Sequence, residues 1–376
     1  MQIEKITNET HVNEFLDLAK DRGASDLHLR ASRPPILRID GKLHRLEHYS
    51  SFEAGELEEI FRSITTPEQR DIFTKELELD CTYSASGIAR CRVNVLRQRG
   101  TLSLAFRLVP FEIPSIDELK LPVICKDLVL RPRGLMLITG PTGSGKSTSM
   151  AAMIDYLNEN EGRNIIIVED PIEYLHRDKQ STIIQRDLGD DTRSFANALK
   201  HALRHDPDVI VLGEMRDLET IALAVTAAET GHLVLGTLHT TDAAQTVDRI
   251  IEVFPHDQQQ QIRLQVSQVM LAVLSQALLP RIEGGRVAAC EIMIATPPIR
   301  NLIRDGKTYQ IPNVIQLSNQ DGMQTLDQAL TDLVRNNIVL EDVAMLYATN
   351  REQLGKSIQH SQQAGSNPPN SFQKPS

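Results

Sequence analysis

The chain has 376 residues, with 40 Lys and Arg against 50 Asp and Glu, for a formal net charge of −10. Hydrophobic residues make up 41% and charged residues 24%, which excludes wholesale disorder, a collagen-like fibre and a disulfide miniprotein. The length suggests two or three domains, and the acidic balance argues against nucleic acid as a default partner. The four cysteines, Cys81, Cys91, Cys125 and Cys290, form no C-x-x-C pair, so neither a zinc site nor a redox motif is expected. No apolar run approaches the ~18–20 residues of a membrane span, and the polar Met1–Thr10 stretch has no signal-peptide apolar region. These features predict a cytoplasmic protein whose contact with any membrane is peripheral.

In chain order, Val12, Phe15, Leu16 and Ala19 fall at helical spacing, with Gly23 as a C-cap. Leu27 and Leu29, then Leu37 and Ile39, alternate as strands, and Asp40-Gly41 is a hairpin signal. Phe52 to Phe73 reads mainly helical. Ala89, Cys91, Val93 and Val95 alternate with Arg90, Arg92 and Asn94, and Leu102 to Leu108 alternate again. That predicts two antiparallel strands with one apolar face. Pro110, Pro114 and Leu121-Pro122 mark a linker.

Beyond Lys126 the pattern becomes βαβ, with short apolar strands at Leu135–Thr139, Ile165–Val168, Val209–Leu212 and Leu233–Leu238. This predicts a mostly parallel sheet buried on both faces. After Asp257 the chain reads chiefly helical, apart from a strand near Val287–Ile294, and Gly355–Ser376 reads as a flexible tail. The expected division is therefore 1–112, a linker at 113–125, a motor domain at 126–354 and a tail at 355–376.

Gly140-Pro141-Thr142-Gly143-Ser144-Gly145-Lys146-Ser147-Thr148 matches G-x-x-x-x-G-K-[ST] between a strand and a helix. Glycines let the backbone N–H groups face phosphates, and the helix N-terminus adds partial positive charge. Lys146 is expected to reach the β- and γ-phosphates, and Ser147 to ligate Mg²⁺. Hydrolysis also needs acids at strand ends. Glu169-Asp170-Pro171-Ile172-Glu173 follows one strand and Gly213-Glu214 another. Either cluster can orient water or hold the metal through water. His239 ends the strand Leu233–Leu238, where a γ-phosphate sensor would sit, whereas His232 at its start reads as structural.

Taken together these stretches resemble the secretion-ATPase superfamily, and within it the type IV pilus retraction ATPases of the PilT family. Four boxes stand in the family's order: Walker A at Gly140–Thr148, an Asp box at Glu169–Glu173, a Walker B strand ending at Glu214, and a His box from His232 to His239. Pro298–Asp305 is similar to the family's AIRNLIRE stretch, with Pro298 for Ala and Asp305 for Glu. Gly322–Asp327 and Gly23–Leu29 match further segments. The resemblance implies a PAS-like α+β N-terminal domain, a RecA-like α/β P-loop motor domain and a homohexameric ring. It implies ATP hydrolysis with Mg²⁺ driving pilus retraction and twitching motility. The partners implied are an inner-membrane platform protein met on its cytoplasmic face and a second pilus ATPase. Glu173 is the implied water-activating acid, and Glu214 the Walker B acid and metal contact. Nucleotides in such a ring lie at subunit boundaries, so Arg90, Arg92 and Arg107 of a neighbouring subunit are candidate phosphate contacts.

Competing readings are an accessory PilU-like ATPase, an assembly or type II secretion ATPase, a nucleic-acid translocase and a non-hydrolysing scaffold. The absence of a C-x-x-C insertion, the charge of −10 and the acids at two strand ends favour the retraction reading. The Pro298–Asp305 helix reads either as a packing element or as a coupling element, with Arg300 and Arg304 as its exposed charges.

Overall fold

The computed structural model describes residues 9–39, 41–109 and 112–365. Residues 1–8, Asp40 of the expected turn, Pro110 of the expected linker and residues 366–376 of the expected tail lie outside the described residues. The chain separates into two compact units. One holds Met1–Glu112 with Glu173–Leu175, and the other holds Ile113–Ile172 with His176–Ser376.

In the first unit α1 (Glu9–Asp21) precedes β1 (Asp26–Arg30), β2 (Ile36–Ile39) and β3 (Lys42–Arg45). Helices α2 (Ala54–Ile64) and α3 (Pro67–Glu76) lead to β4 (Glu78–Ala85), β5 (Ala89–Gln98) and β6 (Thr101–Val109). The described strands form one antiparallel sheet in the order β3-β2-β1-β6-β5-β4, a PAS-like α+β arrangement. Alternation places Cys91, Val93, Val95, Leu104 and Phe106 in one core with Phe15, Leu16, Leu57 and Phe61 of the helices. The Asp40-Gly41 hairpin signal announces β3 without giving its bounds, and β4 is not legible. All four residues of β3 are exposed and β4 alternates weakly, so both owe their form to pairing with neighbours.

The second unit begins with α4 (Ile124–Val129), β7 (Gly134–Thr139), α5 (Lys146–Asn160), β8 (Asn164–Glu169) and β9 (Thr182–Asp187). It continues through α6 (Phe195–Ala202), β10 (Val209–Leu212), α7 (Leu218–Glu229), β11 (Leu233–Leu238), α8 (Ala243–Glu252) and α9 (Gln259–Val269). Strands β12 (Met270–Pro280) and β13 (Arg286–Ile294) follow, then α10 (Pro297–Arg304), α11 (Ile311–Leu317), α12 (Leu326–Arg335), α13 (Glu341–Tyr347) and α14 (Arg351–Gly365). The sheet order is β13-β12-β7-β11-β10-β8-β9, parallel throughout except for β12 with β13. Every residue of β7, β10 and β11 is buried, as a sheet covered on both faces requires.

Three expectations are corrected. The segment 113–125 is no free linker: Ile116, Leu121 and Cys125 are buried in one core with Leu128, Met136 and Ile138. Residues 270–280 form a central strand rather than a helix. Met270, Ala272, Val273 and Leu274 are all buried, so this stretch lacks the polar stripe of a surface helix and fills the place between β7 and β13. The tail does not begin at 355, because α14 continues to Gly365 and buries Leu354 and Ile358, four residues apart, against β12, β13 and α12 residues. No helix among the described residues is long and apolar enough to cross a membrane.

Candidate nucleotide site

The carboxyl ends of β7, β11 and β10 lie side by side because these strands are parallel neighbours. Crevices at such an edge are where open α/β sheets bind ligands. From β7 the chain enters the Gly140–Thr148 loop, where Gly140 and Gly145 take φ values of 141° and 88°. A side chain at Gly140 would meet the Gln276 backbone carbonyl, and one at Gly145 would lie 2.9 Å from Gln276 Nε2. Both positions therefore need glycine for space as well as conformation.

Helix α5 starts at Lys146 with no side-chain cap on its first amides. Lys146 is buried and donates to the carbonyls of Gly140 (2.8 Å) and Pro141 (3.1 Å). The buried Ser144 hydroxyl has no hydrogen-bond partner among the described residues. Ser147 and Thr148 are half-buried in the first turn of α5, while Pro141, Thr142 and Gly143 are exposed. A curled glycine loop, uncapped helix amides, a folded-back lysine and an orphaned hydroxyl fit the phosphates of a nucleotide.

Glu214 stands just past β10 and His239 just past β11, and the fold brings them together. His239 Nε2 lies 2.6 Å from Glu214 Oε1. An ionised carboxylate only accepts, so the imidazole N–H is the donor. Arg216 Nε donates to the same oxygen. Burial alone would raise the Glu214 pKa. The Arg216 hydrogen bond and the His239 and Arg216 charges outweigh it and hold the carboxyl below its ordinary value. Its backbone is fixed from both sides: Gly213 N–H donates to Val168 O of β8 (2.8 Å) and Met215 N–H to Thr237 O of β11 (3.0 Å). Gly213 must be small because a Cβ there would lie 3.1 Å from the Glu169 Cα.

The two ends of the Asp box part company. Glu169 closes β8, where the Gln185 amide reaches it at 3.5 Å. Glu173 groups with the first unit, is exposed, and pairs with Arg92 at 3.3 Å. Arg90, Arg92 and Arg107 also belong to the first unit. Arg92 lies directly opposite Arg107 across β5 and β6, and Arg90 reaches the Ser84 hydroxyl at 3.4 Å. Arg107 donates to the buried Asp26 at 2.9 Å. Burial would raise the Asp26 pKa, but the Ser25 and Arg107 hydrogen bonds prevail and lower it. His232 makes a local turn instead of a ligand set, with Nδ1 2.9 Å from Ala227 O.

Sequence reasoning missed Arg216 and Gln276. Arg216 follows Glu214 by two positions, and only the turn after β10 makes the contact. Gln276 had a signal: Ser275-Gln276 is a polar pair inside a strand that is otherwise apolar. Arg300 is also not the exposed charge expected. It is half-buried and donates to the carbonyls of Ser267 (2.7 Å) and Gln268 (2.5 Å) at the end of α9. Arg304 is exposed and pairs with Asp305 at 3.3 Å.

A parallel sheet with these groups at its carboxyl edge is the architecture of a RecA-like P-loop ATPase. The type II/IV secretion system protein model matches residues 4–345. A relative described as the type IV pilus retractation ATPase PilT of Pseudomonas aeruginosa is 46% identical over 333 residues, 89% of this chain and 96% of its own. The type IV pilus ATPase PilU of the same organism is 39% identical over 91% of this chain and 89% of its own. A crystal structure of the pilus retraction motor PilT with bound ADP superposes with a TM-score of 0.84 at 43% identity. It covers 92% of this chain and 99% of that one. The chain belongs to the type II/IV secretion system protein family, in its PilT group of pilus ATPases.

Proposed function

We propose that this chain is a motor ATPase that retracts and disassembles type IV pili as a homohexameric ring. The observation that carries the reading is the Glu214–His239 pair at adjacent strand ends, beside the glycine loop, in a chain of the PilT group. The loop residues Gly140–Thr148 hold the phosphates of ATP through backbone N–H groups, and Lys146 turns from the loop carbonyls to the β- and γ-oxygens. The Ser147 hydroxyl and, through water, Glu214 would hold Mg²⁺, which would supply neutralisation of phosphate charge. Glu214 offers its second carboxylate oxygen to water while Arg216 and His239 keep it ionised. His239 links that acid to the end of β11 and senses the γ-phosphate.

The Glu173 carboxylate is proposed as the base that accepts the proton of the attacking water. Arg90, Arg92 and Arg107 of a neighbouring subunit are proposed to neutralise charge on the transferring phosphoryl group. The ring acts at the cytoplasmic face of the inner-membrane pilus platform protein, beside a second pilus ATPase. The higher identity to PilT than to PilU favours the principal over the accessory motor. Deletion in the host tests the reading. Excess surface pili with lost twitching are expected, and bald cells would mean assembly instead.

A further inference from the structure

We infer that Gln276, on β12, is a positioning residue that sets the conformation of the glycine loop for phosphate binding. The inference rests on the assignment of ATP to the Gly140–Thr148 loop. Gln276 is 4% exposed, in a strand whose other buried members are nearly all apolar. Its place is fixed by the sheet. β12 runs parallel to β7 with Ser275 opposite Thr139, and the two hydroxyls hydrogen-bond at 2.8 Å. Gln276 therefore sits beside the point where β7 becomes the loop.

Its amide makes two bonds, one to each side of Lys146. Nε2 donates to the Ser144 carbonyl at 2.6 Å. Oε1 accepts from the Ser149 hydroxyl of α5 at 2.8 Å. The amide has only one workable orientation, because the Ser144 carbonyl can accept but not donate. Gln276 and both of its partners are buried, so each bond lost leaves an unpaired polar group.

The consequence for the loop follows from peptide geometry. The Ser144–Gly145 peptide is planar and trans, so holding its carbonyl toward β12 turns the Gly145 N–H away from β12. That N–H belongs to the loop segment expected to cradle phosphate. The glycines agree with this: any side chain at Gly145 would collide with Gln276 Nε2, and any at Gly140 with the Gln276 carbonyl. Gln276 thus supplies from 132 residues away the anchor that orients the loop. The energy of binding nucleotide then need not be spent on ordering that peptide.

The test is steady-state ATPase kinetics on assembled rings of Gln276→Met, which keeps the volume and removes both bonds, and of Ser149→Ala, which removes one. A loop that must be ordered on binding weakens ground and transition states alike, so KM for ATP rises while kcat holds. The expected rise is about tenfold for Gln276→Met and about threefold for Ser149→Ala, with kcat within about twofold. A packing role alone would lower the melting temperature and leave KM unchanged. A wild-type KM in either assembled variant overturns the inference, and Ser149→Ala decides it if Gln276→Met does not assemble. Lys146→Ala, measured in parallel by ATP binding, separates the two claims. Lost binding there with wild-type KM in the Gln276 and Ser149 variants refutes only the role of Gln276. Retained binding refutes the site assignment and the inference with it.

Discussion

The charged groups of the two units are held in different ways. In the second unit Lys146 is buried, Glu214 is braced by the Arg216 guanidinium and the His239 imidazole, and its backbone is tied to strands on both sides. In the first unit Arg92 and Arg107 lie opposite each other on the solvent side of an antiparallel pair, with side chains 31% and 68% exposed. Asp26 anchors Arg107 and Glu173 pairs with Arg92, yet neither arginine is enclosed. One edge is ordered before any ligand arrives. The other presents positive charge that is worth little until something covers it, because exposed pairs are weak. The contrast is that expected if, as proposed, the catalytic edge is intrinsic to the second unit and the first-unit arginines act on assembly.

Three changes break or sharpen this contrast, from the largest effect to the smallest. Lys146→Ala should lower the affinity for ATP by about a hundredfold or more, since the buried cation proposed to turn to the phosphates is lost. Isothermal titration with ATP checks it, and an unchanged affinity would remove Lys146 from the site. Arg92→Ala with Arg107→Ala should cut ring ATPase activity by tenfold or more while leaving ATP binding nearly intact, if these groups act on the transferring phosphoryl group. Equal loss of binding and turnover would place them elsewhere.

A third change probes the brace behind the intrinsic edge. Glu291 of β13 is buried and accepts the Ala243 N–H at the start of α8, just after His239–Thr241. Burial pushes its pKa from 4.5 to about 7, with Asp242 and Asp327 adding repulsion against the Ala243 hydrogen bond. The folded chain thus keeps a proton that the unfolded chain releases. Stability should fall as pH rises from about 4.5 to about 7, by roughly 3 kcal/mol in all. Glu291→Gln should flatten that slope in denaturant melts, and an unchanged slope would assign it to other groups.

Much of the intrinsic edge was legible in the sequence, because its chemistry is packed into contiguous runs. The glycine loop, Glu214 and His239 each stand at the end of a short apolar strand, and parallel neighbours bring those ends together. Gln276 was not legible as a partner of the loop. The contact depends on β12 lying next to β7, and a run apolar on both faces reads equally well as a buried helix. The grouping of Glu173 with the first unit was also hidden, since the motif is continuous while the fold divides it between Ile172 and Glu173. In α14, polar composition concealed two apolar residues one turn apart, Leu354 and Ile358, which are enough to dock the helix.

Arginines on α10 give the smallest and cleanest contrast. Arg300→Ala should cost about 1–2 kcal/mol, because two carbonyls at the end of α9 lose their donor. Arg304→Ala should stay within about 0.5 kcal/mol. Thermal melts of the two single variants check this, and equal losses would contradict the capping role of Arg300. Twitching that fails in Arg304→Ala rings with normal ATPase activity would assign α10 a coupling role beyond packing.

Turnover by the motor should depend most directly on Glu214. Glu214→Gln keeps the side chain's shape and removes the charge that Arg216 and His239 hold in place. The measurement is ATP affinity and turnover by the same assembled rings. ATP should bind within about threefold of wild type, while kcat falls by about a hundredfold or more. Rings that hydrolyse ATP at the wild-type rate with Gln at position 214 would contradict the claim that the braced acid at the end of β10 drives the motor.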